Sequence, residues 1–123
     1  YFGYAYYAAN TSRLKAVAVD GGKGAILPSE KTVEDGTYVP LARPIFIYVS
    51  AKSADKPEVR KFVEFYLKNA ATFTKEVKYV ALPPSAYNTS MQHFAKKKLG
   101  TVFAGHGAVG VKIEDLLKRE GAL

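Results

Sequence analysis

The sequence predicts an α/β fold, and three observations lead to this prediction. Ile45 to Val49 form a continuous apolar run of β-forming residues, which is typical of a strand covered on both faces. Beyond residue 55, apolar residues recur at steps of three and four, as they do on one face of a helix. Strands and helices are therefore mixed, and the chain has neither internal repeats nor low-complexity segments.

The first half of the chain is predicted to contain short elements. Tyr1 to Ala9 is aromatic and alanine-rich, and it indicates the end of a buried strand that turns at Gly3 into a short helix. Leu14 to Val19 carries β-branched residues and ends at an Asp-Gly-Gly turn, which predicts another strand. Ser29 follows a proline and is expected to cap a helix of about two turns that ends near Gly36.

The second half is predicted to be mainly helical. Asp55 is expected to cap the first long helix, which has Pro57 in its first turn. The apolar stripe of this helix is Val59, Phe62, Val63, Tyr66 and Ala70. A change in composition near Arg43-Pro44 separates the irregular first part from this helical part and suggests a boundary between lobes.

Two further helices are predicted. One follows Pro83-Pro84 with Ser85 as its cap, and it ends at three consecutive lysines, residues 96–98, before Gly100. Its apolar stripe is Tyr87, Met91, Phe94 and Ala95. The other spans about Lys112 to Glu120 and rests on Ile113, Leu116 and Leu117.

Composition limits the classes of function. Hydrophobic residues make up 48% and charged residues 24% of the chain, which is ordinary for a globular protein. A formal net charge of +7 favours anionic partners, such as phosphate, nucleic acid or lipid headgroups. Without cysteine, the chain can form no disulfide, thiolate zinc site or cysteine nucleophile. Because it opens on Tyr1 inside an aromatic element and without an initiator Met, we expect it to be a fragment.

No motif in the sequence indicates a catalytic or metal site. The glycines of Gly105 to Gly110 match a dinucleotide-binding pattern, but no strand leads into them and no acidic residue follows at the spacing needed for a ribose, so a flexible loop is predicted. His93 and His106 have no sequence neighbour at a metal-ligand spacing. We therefore expect no metal and no cofactor.

Hydroxyl, carboxylate and lysine side chains are assigned ordinary roles. None of Ser29, Ser85 and Ser90 lies in a nucleophile elbow, so capping or surface roles are expected. Glu114 and Asp115 are adjacent on a helix and point in different directions, which argues against an acid–base pair. The lysines 96–98 are expected to form a solvated helix end, although their charge leaves open a small nucleic-acid-binding module as the alternative function.

Three segments, in order, resemble the carboxyl-terminal third of the phosphate-binding protein family of ABC transporters. These segments are YFGYAYYAAN, LKAVAVDG and PSEKTVEDGTYVPLARPIFIYV, and the likeness extends to about Leu99. The matching positions are Gly3, Tyr4, Asp20, Gly21, Pro28, Ser29, Tyr38, Pro40, Arg43, Pro44 and Tyr48. Val39 is an extra residue compared with the family pattern, and the tail from Gly100 is more similar to the longer, cyanobacterial-type members.

The resemblance implies the carboxyl-terminal portion of a two-lobed type II periplasmic-binding-protein fold, with a mixed sheet and flanking helices. Residues 1–42 would complete the second lobe, 43–55 would be a crossover strand and hinge, and 56–123 would pack as helices on the first lobe. The parent protein would close like a hinge around inorganic phosphate.

The resemblance also implies a function without catalysis. The parent would capture phosphate for import, in the periplasm or at the cell surface, and deliver it to the membrane permease of an ABC transporter. The family's phosphate loops lie upstream, so no ligand is assigned to this chain, and Arg43 is expected to anchor the lobe crossing. The chain alone is expected to bind phosphate weakly or not at all. We also expect it to self-associate, through Tyr1 to Tyr7 or through Ile45 to Val49.

Overall fold

The computed structural model describes residues 2–101, 103 and 111–122. Within these residues the chain forms five helices and one two-stranded antiparallel sheet, so the prediction of mixed helices and strands is confirmed. The elements are α1 (Tyr4–Ala8), β1 (Val19–Asp20), β2 (Ala25–Ile26), α2 (Glu30–Glu34), α3 (Pro57–Glu76), α4 (Pro84–Ala95) and α5 (Ile113–Gly121). Among them, no helix has both the length and the apolar character needed to cross a membrane.

The small sheet is shorter than predicted. Of the strand expected over Leu14 to Val19, only Val19 is in β1, where it pairs with Ile26 of β2. The connecting loop is tight because the carboxylate of Asp20 accepts hydrogen bonds from two backbone N–H groups of the glycine-rich turn, at 2.8 and 3.1 Å. The residues before Val19 have no neighbouring strand in the described part of the chain, so the prediction of a longer strand is wrong there.

The first two helices follow their local signals. Helix α1 begins after Gly3, as predicted. Helix α2 begins after Ser29, whose hydroxyl accepts a hydrogen bond from the backbone N–H of Thr32 at 3.1 Å. In return, the hydroxyl of Thr32 accepts a hydrogen bond from the backbone N–H of Ser29 at 2.9 Å, which completes a capping box. Gly36, just after the helix, has the left-handed φ of 71° that favours glycine.

The caps of α3 and α4 differ from the prediction. Helix α3 begins at Pro57 with Lys56, not Asp55, at its cap position, and α4 begins at Pro84, so Ser85 lies inside the helix. Proline at the first helical position has a suitable φ and no N–H to satisfy, so a capping side chain is less needed there. Helix α4 ends at Ala95, just before the three lysines, as expected.

The core is thin for a chain of this size. Helix α4 packs on α3 on one side and on α5 on the other. The buried hydrophobic residues among those described are Ala5, Val63, Ala70, Ala86 and Leu116. The accessible surface is 9144 Å², whereas a compact monomer of 13.4 kDa exposes about 6,500 Å². About 2,600 Å² of additional surface is therefore open to solvent in this chain.

The predicted central strand is absent from the structure. Ile45 to Val49 have no assigned secondary structure, and Ile45 and Tyr48 are 70% and 77% exposed. A strand is defined by pairing with a neighbour, and the described residues provide no neighbour for this segment. The prediction of a strand and of a larger mixed sheet is therefore wrong for the structure of this chain.

Candidate functional site

Two of the three consecutive lysines at the end of α4 are engaged within the chain. The Nζ of Lys97 lies 2.5 Å from the Oδ1 of Asp55, just before α3. The hydrogen bond and the charge of Lys97 hold the pKa of Asp55 below its ordinary value. The Nζ of Lys98 donates to the carbonyl oxygen of Gly121, at the end of α5, over 2.9 Å. These two lysines join the three helices, and nothing in this arrangement favours nucleic-acid binding.

His93 lies at the interface between α4 and α5. Its Nδ1 is 3.2 Å from the Oε2 of Glu120, and its side chain is 16% exposed. This contact gives His93 a role in helix packing. The described residues contain no group of three or more side chains that could hold a metal ion. His106 and the segment Gly105 to Gly110 lie outside the described residues.

The hydroxyl and carboxylate residues singled out from the sequence lie apart. Ser29 caps α2, whereas Ser85 and Ser90 lie on α4. The Oδ1 of Asp115 is 3.8 Å from the Nζ of Lys118, one turn further along α5. The side chain of its neighbour Glu114 lies outside the described part. Among the groups whose side chains are described, none share a site.

Arg43 borders a small apolar cavity. This cavity has a volume of about 220 Å³ and lies between residues 42–46 and the start of α5. Phe46 and Phe103 form part of its wall, with ring centroids 5.4 Å apart in an edge-to-face arrangement. Leu116 closes it from α5. This setting favours a packing role for Arg43 and offers an anion few hydrogen-bond donors.

The described residues also form an open apolar groove, which we call the α3 groove. It lies between residues 47–53 and α3 and encloses about 490 Å³. Tyr48 forms one wall, and Phe62 and Tyr66 form the other, with their two rings stacked at 6.4 Å. Phe62 is 66% exposed, although the helical periodicity had placed it on the buried stripe of α3.

The aromatic surface continues along α3 beyond the groove. Phe65 is 57% exposed, and its ring centroid lies 5.9 Å from that of Phe73. Exposed aromatic residues on one helix are typical of a surface that another polypeptide covers. Helical periodicity did not predict this surface, because it identifies apolar positions but not the element that covers each of them. It also missed the pairs Asp55–Lys97 and His93–Glu120, which join residues distant in sequence and carry no local signal.

Comparisons with known proteins relate the chain to phosphate-binding proteins. It is 53% identical over 122 residues to Protein SphX of Synechococcus elongatus and 47% identical over 123 residues to Protein SphX of Synechocystis sp.. These matches cover 98% and 99% of this chain but 36% and 37% of the two relatives. The Phosphate-binding protein PstS of Staphylococcus haemolyticus is 37% identical over 98 residues, which are 78% of this chain and 31% of that protein.

These matches confirm the resemblance that the sequence motifs indicated. The chain spans about a third of the length of the curated relatives it matches. The SphX matches include nearly the whole chain and are stronger than the PstS match, in agreement with the predicted likeness to cyanobacterial-type members. No protein-family model and no solved structure matches the chain.

Proposed function

We propose that this chain, which is related to phosphate-binding proteins over most of its length, is part of a solute-binding protein that captures inorganic phosphate. The observation that carries the proposal is the 37% identity to a protein named for phosphate binding. The two SphX matches, which cover nearly all of this chain, add to it. The whole protein would deliver phosphate to the membrane permease of an ABC transporter. It would act in the periplasm or at the cell surface, and it would catalyse no reaction.

The chain's own contribution would be structural. In this proposal, residues 1–42 complete one lobe, residues 43–55 cross between lobes as a hinge, and residues 56–123 pack on the other lobe. The structural support is the contrast between the short elements before Arg43 and the packed helices α3, α4 and α5. The thin core and the exposed aromatic surface are in accord with a part that is covered by the rest of a larger protein.

The chain would supply no direct phosphate ligand. Phosphate recognition needs several convergent donors, such as backbone N–H groups, hydroxyls and a guanidinium. Here Lys97 and Lys98 are engaged with other parts of the chain, and Arg43 borders an apolar cavity. We therefore expect phosphate to bind weakly or not at all to the chain on its own.

Calorimetry on two proteins tests this proposal. The first is the isolated chain, for which titration with inorganic phosphate should give no saturable heat. The second is a chimera in which this chain replaces the matched stretch of SphX from Synechococcus elongatus, and it should bind phosphate. Micromolar binding by the isolated chain would refute the absence of ligands, and a folded chimera without phosphate binding would refute the phosphate assignment.

We also propose that the chain self-associates when it is isolated. The additional surface of about 2,600 Å² exceeds the roughly 800 Å² that each partner buries in a standard interface. Tyr6 and Tyr48, within the two segments expected to pair, are 65% and 77% exposed. Sedimentation velocity should show a mass that rises with protein concentration. A monomer that persists at high concentration would contradict this proposal.

A further inference from the structure

The carboxyl-terminal end of α4 closes in a Schellman turn. The backbone N–H of Lys97 donates to the carbonyl oxygen of Phe94, and that of Lys98 donates to the carbonyl oxygen of His93, each over 3.0 Å. Lys97 has the left-handed φ of 52° that such a turn requires. His93 therefore lies in the last turn of α4, where the partial negative charge of the helix end favours a cation.

The imidazole of His93 lies between this helix end and α5. Its Nδ1 is 3.2 Å from the Oε2 of Glu120, and the two side chains are 16% and 31% exposed. Because an ionised carboxylate can only accept a hydrogen bond, Nδ1 carries the donated hydrogen, and a second proton binds at Nε2. Nε2 faces Gly121, where an added Cβ would lie 3.7 Å from it. Protonation of the ring therefore leaves its hydrogen bond to Glu120 in place.

The charged groups around His93 have different partners. Those at this end of α4 or on the segments that adjoin it are Asp55, Lys96, Lys97, Lys98, Arg119 and Glu120. Among the described residues, no carboxylate other than that of Glu120 pairs with His93. Lys97 is bound to Asp55 and Lys98 to the carbonyl oxygen of Gly121, so each partner offsets part of the lysine charge. Lys96 and Arg119 are exposed, where water and salt screen their charge.

We propose that the docking of α5 on α4 is sensitive to pH, with a protonated His93 holding α5 more tightly than a neutral one. The carboxylate of Glu120 and the end of α4 both favour the charged ring, and together they outweigh its partial burial and the two lysines that have partners of their own. Histidine ordinarily changes its charge between about pH 5 and pH 8. The additional stabilisation of α5 is therefore present at the acidic end of this range and is lost as the pH rises. The contact lies within the chain itself, so it acts whether or not the whole protein binds phosphate.

Amide hydrogen exchange on the full chain tests this proposal. Protection factors of the amides of α5, which correct for the intrinsic effect of pH on exchange, should be about twofold to fivefold higher at about pH 5.5 than at about pH 8. The amino terminus also titrates in this range, but it is the same in the parent chain and in every variant. Equal protection of α5 at the two pH values in the parent chain would overturn the proposal.

Three variants identify the group responsible. His93→Gln keeps a polar side chain that cannot be protonated, and Glu120→Gln removes the carboxylate but leaves the ring in place, so both should lower the ratio of protection factors towards one. His106→Gln is the matched control, because it removes the other histidine of the chain, and it should keep the parent ratio. If His93→Gln does not fold, Glu120→Gln provides the same test. A ratio that is unchanged in Glu120→Gln, or that His106→Gln abolishes, would overturn the role of His93.

Discussion

Leu116 has the largest side chain of the five hydrophobic residues that are buried in the described part of the chain, and truncating it should release α5. Leu116 is 3% exposed and packs against the wall of the cavity that contains Phe46 and Phe103. Two polar contacts also hold α5, namely the contact of Glu120 with His93 of α4 and the hydrogen bond from Lys98, just after α4, to the Gly121 carbonyl. The question is which kind of contact holds the helix in place.

The magnitudes favour the apolar contact. Leu→Ala in a core costs about 2–5 kcal/mol, with the larger values where a closed cavity remains. Here the neighbouring space of about 220 Å³ is already open, so we expect Leu116→Ala to lie near the lower end, at about 2–3 kcal/mol. A single hydrogen bond contributes about 0.5–1.5 kcal/mol, so Glu120→Gln should cost less. Leu116 should therefore dominate the docking of α5.

Urea unfolding followed by far-UV circular dichroism measures these losses. Leu117→Ala is the matched control, because it removes the same side chain from the next position of α5, where the residue is only half-buried. The free energy of unfolding should fall most for Leu116→Ala, less for Leu117→Ala and least for Glu120→Gln. Equal losses for the two leucines, or a larger loss for Glu120→Gln, would refute the reasoning.

Three further predictions concern local contacts. Ser29→Ala removes the cap of α2 and should lower the free energy of unfolding by about 1 kcal/mol, so an unchanged urea midpoint would contradict the capping role. Lys78→Gly should raise the free energy of unfolding by about 1 kcal/mol, because Lys78 has a left-handed φ of 60° just after α3, which glycine adopts without strain. A lower urea midpoint for this variant would contradict the prediction. The ion pair with Lys97 lowers the pKa of Asp55 from 3.8, so its stabilisation is present above that value and is lost as the pH falls through the lower folded pKa. Asp55→Asn should therefore reduce the loss of stability on acidification below about pH 4, and identical acid profiles for variant and parent would count against the pair.

The sequence predicted best those features that depend on a few neighbouring residues. The cap at Ser29 was predictable because its partner, Thr32, is three positions away on the same turn. The caps expected at Asp55 and Ser85 were not found, because in each case a proline begins the helix and a different residue takes the cap position. The side-chain capping rule therefore predicts a helix start correctly, except where a proline at the first helical position determines the start instead.

Features that depend on distant residues were not predictable from pattern alone. The three lysines after α4 were expected to be solvated, yet Lys97 and Lys98 bind Asp55 and the carbonyl of Gly121, more than 20 positions away in sequence. Charge identifies a residue that can form an ion pair but not the residue that will approach it.

In α3 and in Ile45 to Val49, several side chains that the sequence pattern predicts to be buried are exposed in the structure. Phe62 belongs by periodicity to the same stripe as Val63, yet Val63 is 4% exposed and Phe62 is 66% exposed. The same holds for Ile45, which has the sequence environment of a buried strand and is 70% exposed. An apolar side chain gains stability only where something covers it, so a pattern that exceeds the available burial indicates a missing cover. The length of the SphX relatives, of which this chain matches about a third, provides a source for that cover. The exposed apolar positions of α3 and of residues 45–49 are therefore where we expect another polypeptide segment to pack.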